Sequence, residues 1–187
     1  PQAASPATAA KAPDVDMCTV SYWAFDEGKG QQTADLPTTP NQAKTAVVKG
    51  ATWTDGKYGK ALRFQGNNAY VELPASACLD GLQVSDYWIS VWFRPDNQPV
   101  GKDNATRTAQ AIVVKVPTKT ASGQEELAGE GLTFTPEGRF AMSHALAGNQ
   151  QLTATSQRSF APGQWYHLVG AVVFASFNGP QGRKQCV

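Results

Sequence analysis

Along most of the chain apolar residues recur at every second position in short runs, separated by clusters of Gly, Pro, Asn and Asp. Half-buried antiparallel strands read this way, because successive side chains on a strand point to opposite faces. In "ALRFQG", Leu62 and Phe64 alternate with Arg63 and Gln65; in "AYVELP", Val71 and Leu73 share one face and Tyr70 and Glu72 the other. The run "YWISVWFRP" sets Ile89, Val91 and Phe93 against Trp88, Ser90, Trp92 and Arg94, with bulk on both faces. Pro95 stops it, having no backbone donor for a ladder. Further strands are predicted in "QAIVVKV", "GLTFT", "RFAMSHA", "QLTAT" and "QWYHLVGAVVF", with "TPEG" between Phe134 and Arg139 placing Pro and Gly where a tight hairpin uses them. Asp35 to Thr45 and Asp96 to Thr108 read as surface loops, and "PTKTASGQEELAGEG" as a hairpin excursion. No stretch makes a persuasive helix, and the pattern predicts an all-β, mostly antiparallel protein.

The length of 187 residues suits one domain. A net charge of +1 gives no electrostatic footprint for nucleic acid or an anionic membrane, and no apolar run approaches the roughly 20 residues of a spanning helix. The opening "PQAASPATAAKAP" is rich in small residues and proline, as expected after a removed signal peptide or in an interdomain tether. Residues 1–17 are therefore expected to form a flexible tether, and residues 18–187 one domain. Cys18, Cys78 and Cys186 lie far apart without a C-x-x-C pair, so zinc is poorly supported. One disulfide with a leftover thiol and three unpaired cysteines are both open.

Taken in order, "YWAFDEGKG", "GKYGKALRFQGNNAYVEL", "ISVWFRP" and "GQWYHLVGAV" resemble the laminin G-like, concanavalin A-like lectin-glucanase jelly-roll family of secreted modules, over roughly residues 18 to 174. The resemblance implies an antiparallel two-sheet sandwich, which the period-two pattern requests independently. The end of the chain departs from the family pattern: "FASFNGPQGRKQCV" offers only Phe177, Asn178 and Gly179 where a Tyr-x-Asp-Gly hairpin is usual. The last strands are thus expected to be absent or degenerate, leaving a C-terminal sheet edge through which the chain can self-associate.

Adjacent carboxylates on a strand point to opposite faces, so Asp26 and Glu27 in "FDEG" cannot jointly flank one glycosidic bond. They read as polar residues at a turn made by Gly28 and Gly30. Jelly-roll glucanases carry acids at alternate positions of one strand, and no strand here does; Glu125, Glu126 and Glu130 fall in the glycine-rich excursion. Neither His144 nor His167 sits beside a nucleophile elbow. His167 reads as a buried imidazole bonded to backbone, and His144 carries no signal. The family resemblance implies a rim site for calcium, a hard ion that prefers oxygen ligands. Asp35 in the first loop and Asn67 and Asn68 after "FQG" are its candidate ligands, and plain loop capping by Asp35 is the competing role. For glycan stacking the candidates are Trp53 and Tyr58, which flank "TDGK", together with Trp92; burial within the sandwich is the alternative for each. The tripeptide "NAT" at Asn104 to Thr106 fits a glycosylation acceptor, a pattern that often arises by chance.

These features predict a secreted or cell-surface, non-catalytic module that binds a glycan or an extracellular protein through rim loops, without membrane insertion. The alternatives are an accessory module of a larger carbohydrate-active enzyme such as a sialidase, or an assembly domain using an open sheet edge.

Overall fold

A computed structural model describes residues 20–36, 44–66, 68–74, 86–96, 109–115, 130–146, 150–175 and 183–186. Outside them fall the expected tether, Cys18, Cys78, Asn67, Asn104, Glu125, Glu126 and most of the loop after Asp96; of Glu130 and Cys186 only the backbone is described. The chain is all-β and divides into two compact units, Pro1–Gly81 and Leu82–Val187.

In the first unit, β1 (Gln32–Ala34), β2 (Thr45–Lys49) and β5 (Tyr70–Glu72) form an antiparallel sheet in the order β1-β2-β5. Strand β2 alternates strictly: Ala46 and Val48 are buried while Thr45, Val47 and Lys49 are exposed. Strands β3 (Thr52–Asp55) and β4 (Lys60–Arg63) form a separate hairpin, with Asp55 opposite Lys60.

The acid-glycine turn ties these pieces together. "YWAF" forms no ladder strand; it makes one antiparallel bridge, between Trp23 and Asp35. Phe25 then adopts a φ of 56°, rare for a bulky residue, and Gly28 (66°) and Gly30 (78°) complete the reversal. The two carboxylates part company, though in a turn and not by the strand alternation expected of them. An oxygen of Asp26 accepts the Lys60 N–H at 2.7 Å, while one of Glu27 accepts the Ala34 N–H at 2.8 Å. Gly59 makes the first bond possible: its φ is 59°, and a Cβ there would collide with the Asp26 carboxylate.

The second unit is a sandwich of two antiparallel sheets. One has the order β10-β9-β8-β7, built from β7 (Gln110–Lys115), β8 (Glu130–Phe134), β9 (Phe140–Leu146) and β10 (Gln150–Thr155). The other has the order β12-β11-β6, built from β6 (Tyr87–Phe93), β11 (Tyr166–Ala175) and β12 (Arg183–Cys186). The basic C-terminal stretch thus supplies a short strand that pairs with β11 from Val172 to Ala175. "TPEG" makes the predicted hairpin, in which Gly138 (φ 73°) donates its N–H to the Thr135 carbonyl.

Between the sheets, Tyr87 and Val172 pack on Leu132 and Met142. Beside them lies an aromatic cluster centred on the buried Phe140, whose ring stands 5.7 Å from Phe93, 5.0 Å from Phe134, 4.6 Å from Phe160 and 6.2 Å from Tyr166. Tilted and edge-on pairs of this kind add about 0.5–1.5 kcal/mol each to the burial of the rings. His144, which reads in the sequence as uninformative, is fully buried, and its Nδ1 lies 3.0 Å from the Tyr87 hydroxyl.

Replacing Gly59 with Ala is expected to destabilise the first unit by more than about 1 kcal/mol and to speed amide exchange at Lys60, whose acceptor is displaced. Exchange at Lys60 equal to wild type would show that the Asp26 bond does not depend on this glycine. On the inner face of β11, a Cβ at Gly170 would lie 2.7 Å from Leu132 Cδ2 and 2.9 Å from Met142 Sδ. Gly170→Val is expected to cost about 1–3 kcal/mol by overpacking, measured by urea unfolding, with Gly170→Ala intermediate.

Candidate functional site

Two surfaces hold the residues predicted to touch a ligand, one in each unit. In the first, Trp53 is half-buried on β3 and its indole N–H donates to the Gly30 carbonyl at 2.8 Å. It lines an open depression of about 270 Å³ with Gly28, Thr54, Asp55 and Lys60. Lys60 Nζ donates to Asp55 Oδ1 at 2.7 Å, and this hydrogen bond, with the lysine's charge, holds the Asp55 carboxyl below its ordinary range. Tyr58 stands at the hairpin tip, 58% exposed, with the Lys57 ammonium 5.8 Å from its ring centroid.

Asp35 is buried. Its Oδ1 accepts the Tyr22 N–H at 2.7 Å, its own N–H donates to the Lys44 carbonyl at 2.8 Å, and Leu36 N–H bonds back to the Tyr22 carbonyl. These bonds fasten the loop, the role weighed against metal binding. Asn68 is exposed in a turn in which Ala69 N–H bonds the Gly66 carbonyl. Among the described residues, no group of three or more His, Cys, Asp or Glu is arranged to hold a metal.

In the second unit the candidate surface is the outer face of β6 and β11. The register places His167 opposite Trp92, Val169 opposite Ser90 and Ala171 opposite Trp88. Because Tyr87, Ile89, Val91 and Phe93 turn inward, alternation turns Trp88, Ser90 and Trp92 outward. Trp88 is 63% exposed, Trp92 41% and Val169 58%. The Trp92 ring stacks on the His167 imidazole, with centroids 5.0 Å apart and planes 21° from parallel. His167 Nε2 lies 2.8 Å from Ser90 Oγ. The residues thus form two stacked rings, a hydroxyl holding one of them, and a second indole four positions along the same strand.

This overturns the expectation of a buried, backbone-bonded His167. The imidazole is exposed and bonded to a side chain, because its row on β11 is the one opposite Leu168, Gly170 and Val172, which are buried. The sequence reading also passed over Trp88. Its signal was present in "YWISVWF": period two gives Trp88 and Trp92 the same face, so one cannot be outside without the other.

No curated protein and no solved structure matches the chain. A family model described as the concanavalin A-like lectin/glucanases superfamily, of laminin G type, matches residues 65–177, which include β6, β11 and their outer face. Through that match, which spans more than half of its length, the chain belongs to the concanavalin A-like lectin/glucanase superfamily.

Proposed function

We propose that the chain is a non-catalytic recognition module that binds a glycan, and that the outer face of β6 and β11 is its principal contact. The observation that carries this is the exposed Trp92–His167 stack held by Ser90, with Trp88 on the same row. A sugar ring has an apolar C–H face bordered by hydroxyls. Indole and imidazole faces match the first, and Ser90 and His167 match the second. Rings already held against each other lose little conformational freedom on binding. Rim loops were the expected contact; the sheet face takes precedence because its aromatic rings are both exposed and oriented, whereas the indole N–H of Trp53 is committed to Gly30.

The absence of catalysis in this proposal is supported by Asp26 and Glu27. Each accepts the backbone N–H of a different strand, Asp26 from Lys60 and Glu27 from Ala34. Among the described residues no helix is long and apolar enough to cross a membrane; secretion belongs to the proposal with the glycan. The exposed Val169 beside the tryptophans gives a second reading, docking of an extracellular protein. An accessory role beside the catalytic domain of a sialidase-like enzyme would use the same face.

A glycan array probed with the full chain is expected to show binding that Trp92→Ala lowers at least about tenfold, the usual scale for truncating a central aromatic contact. Parallel arrays with calcium and with a chelator test Asp35 and Asn68 as ion ligands: equal binding would remove the metal from the proposal. No signal on any glycan would favour the protein partner, and release of reducing ends from soluble β-glucan would overturn the non-catalytic assignment.

A further inference from the structure

The two histidines of the chain meet opposite surroundings: His144 is fully buried, while His167 is exposed on the outer face of β11. Two residues of β6 hold the His167 imidazole. Its Nε2 lies 2.8 Å from Ser90 Oγ, and its ring stacks on the Trp92 indole with centroids 5.0 Å apart. A change of charge on the imidazole therefore acts directly on side chains proposed to touch a ligand. Just beyond β6, Arg94 holds its guanidinium 5.2 Å from the Trp165 ring and its Nε 3.6 Å from Asp96 Oδ1. Asp86 stands two positions before Trp88, at the far end of the row. On β11 the next outward residue is Val169, and β12 pairs with that strand only from Val172 to Ala175. Among the described residues no carboxylate bonds to the imidazole, whose hydrogen-bond partner is the Ser90 hydroxyl.

Histidine is the side chain whose charge ordinarily changes between pH 5 and 8. A hydroxyl carries one proton and two lone pairs, and a neutral imidazole one N–H and one lone pair, so after the bond between them one donor and two acceptor positions remain, whichever partner donates. Protonation of the ring obliges Nε2 to donate to Ser90. Two donors, the His167 Nδ1–H and the Ser90 O–H, then remain with one acceptor position and a unit positive charge. We infer that the outer face of β6 and β11 is a proton-operated recognition surface: gain of a proton by His167 turns the Ser90–His167 pair from an acceptor-rich contact into a donor-rich, cationic one and tightens binding of molecules that present oxygen acceptors there. This rests on the recognition reading above and adds its regulation. Hydrogen bonds from a charged donor are roughly twice as strong as those between neutral groups. The cation also strengthens its own stack on Trp92, so the aromatic platform is firmest in the state that binds. Recognition is accordingly strongest in acid and falls as pH rises past the point where His167 loses its proton.

Two measurements on the full chain test this. In the first, proton NMR follows the His167 ring resonances from pH 5 to 8, assigned by their loss in His167→Gln, and tryptophan fluorescence follows Trp92 as the difference from Trp92→Phe. Trp92 emission is expected to change with the midpoint of the His167 resonance and to stay flat in His167→Gln, which keeps a hydrogen-bonding side chain without the charge. Emission that does not follow His167, or an imidazole in one charge state throughout, overturns the inference. In the second, the glycan array is read at pH 5.5 and at pH 7.5. Glycans that bind are expected to give signals about fivefold stronger at the lower pH, a ratio that falls below about twofold in His167→Gln. Equal binding at both pH values, or a pH dependence that survives His167→Gln, overturns the switch while leaving glycan recognition standing. With no glycan bound at either pH the glycan reading falls, and coincident titration of Trp92 and His167 still supports the switch. The side chain is exposed, so His167→Gln removes no core packing, and its unfolding curve is expected to match wild type at pH 7.5.

Discussion

The second unit depends on the aromatic seal around Phe140. That ring, on β9, touches Phe93 from β6, Phe134 from β8, Tyr166 from β11 and Phe160 from a connecting segment. It therefore fixes which side of both sheets faces inward. A strand has no intermediate choice: once Phe93 is committed to the cluster, Trp92 must point the other way, and with it Ser90 and Trp88. The exposed aromatic row is thus a consequence of core packing. Gly170 serves the same constraint on β11, because it gives Leu132 and Met142 room to approach the sheet.

The first unit solves a different problem with different chemistry. Its described core is small, with Ala46 and Val48 as the buried apolar side chains, so specific hydrogen bonds carry more of the burden of organisation. Asp26 holds the β3–β4 hairpin, Glu27 holds β1, Asp35 holds the segment at Tyr22, and Trp53 holds the glycine turn. Carboxylates accepting backbone N–H groups are among the stronger hydrogen bonds available. The left-handed glycines Gly28, Gly30 and Gly59 mark where the backbone bends beside these bonds. Acids that resemble catalytic equipment in the linear sequence are fastenings in the folded chain.

Family membership assigns a shared β architecture, and this superfamily includes lectins and glucanases alike. What separates the two roles at the physical level is the disposition of carboxylates and aromatic rings. In this chain the described acids near the conspicuous turn accept backbone N–H groups, while Trp88 and Trp92 are exposed and Trp92 is stacked on His167. That contrast supports the proposal of recognition, which rests on four side chains of one sheet face: Trp88, Ser90, Trp92 and His167.

The alternation in "YWISVWF", the hairpin at "TPEG" and the glycine turn after "FDEG" were all legible, because each depends on residues close together in the chain and on the period of two that any strand imposes. β1 and β2 were not separated from their surroundings, since three and five residues give too short a pattern to stand out. The sequence alone determined that the protein is built of antiparallel strands and that Trp88 and Trp92 share a face. Which face is buried, that His144 is inside and His167 outside, and that Asp26 meets Lys60 were decided by the tertiary structure. Those outcomes rest on contacts between residues distant in the chain, where packing volume and hydrogen-bond geometry act and local periodicity is silent.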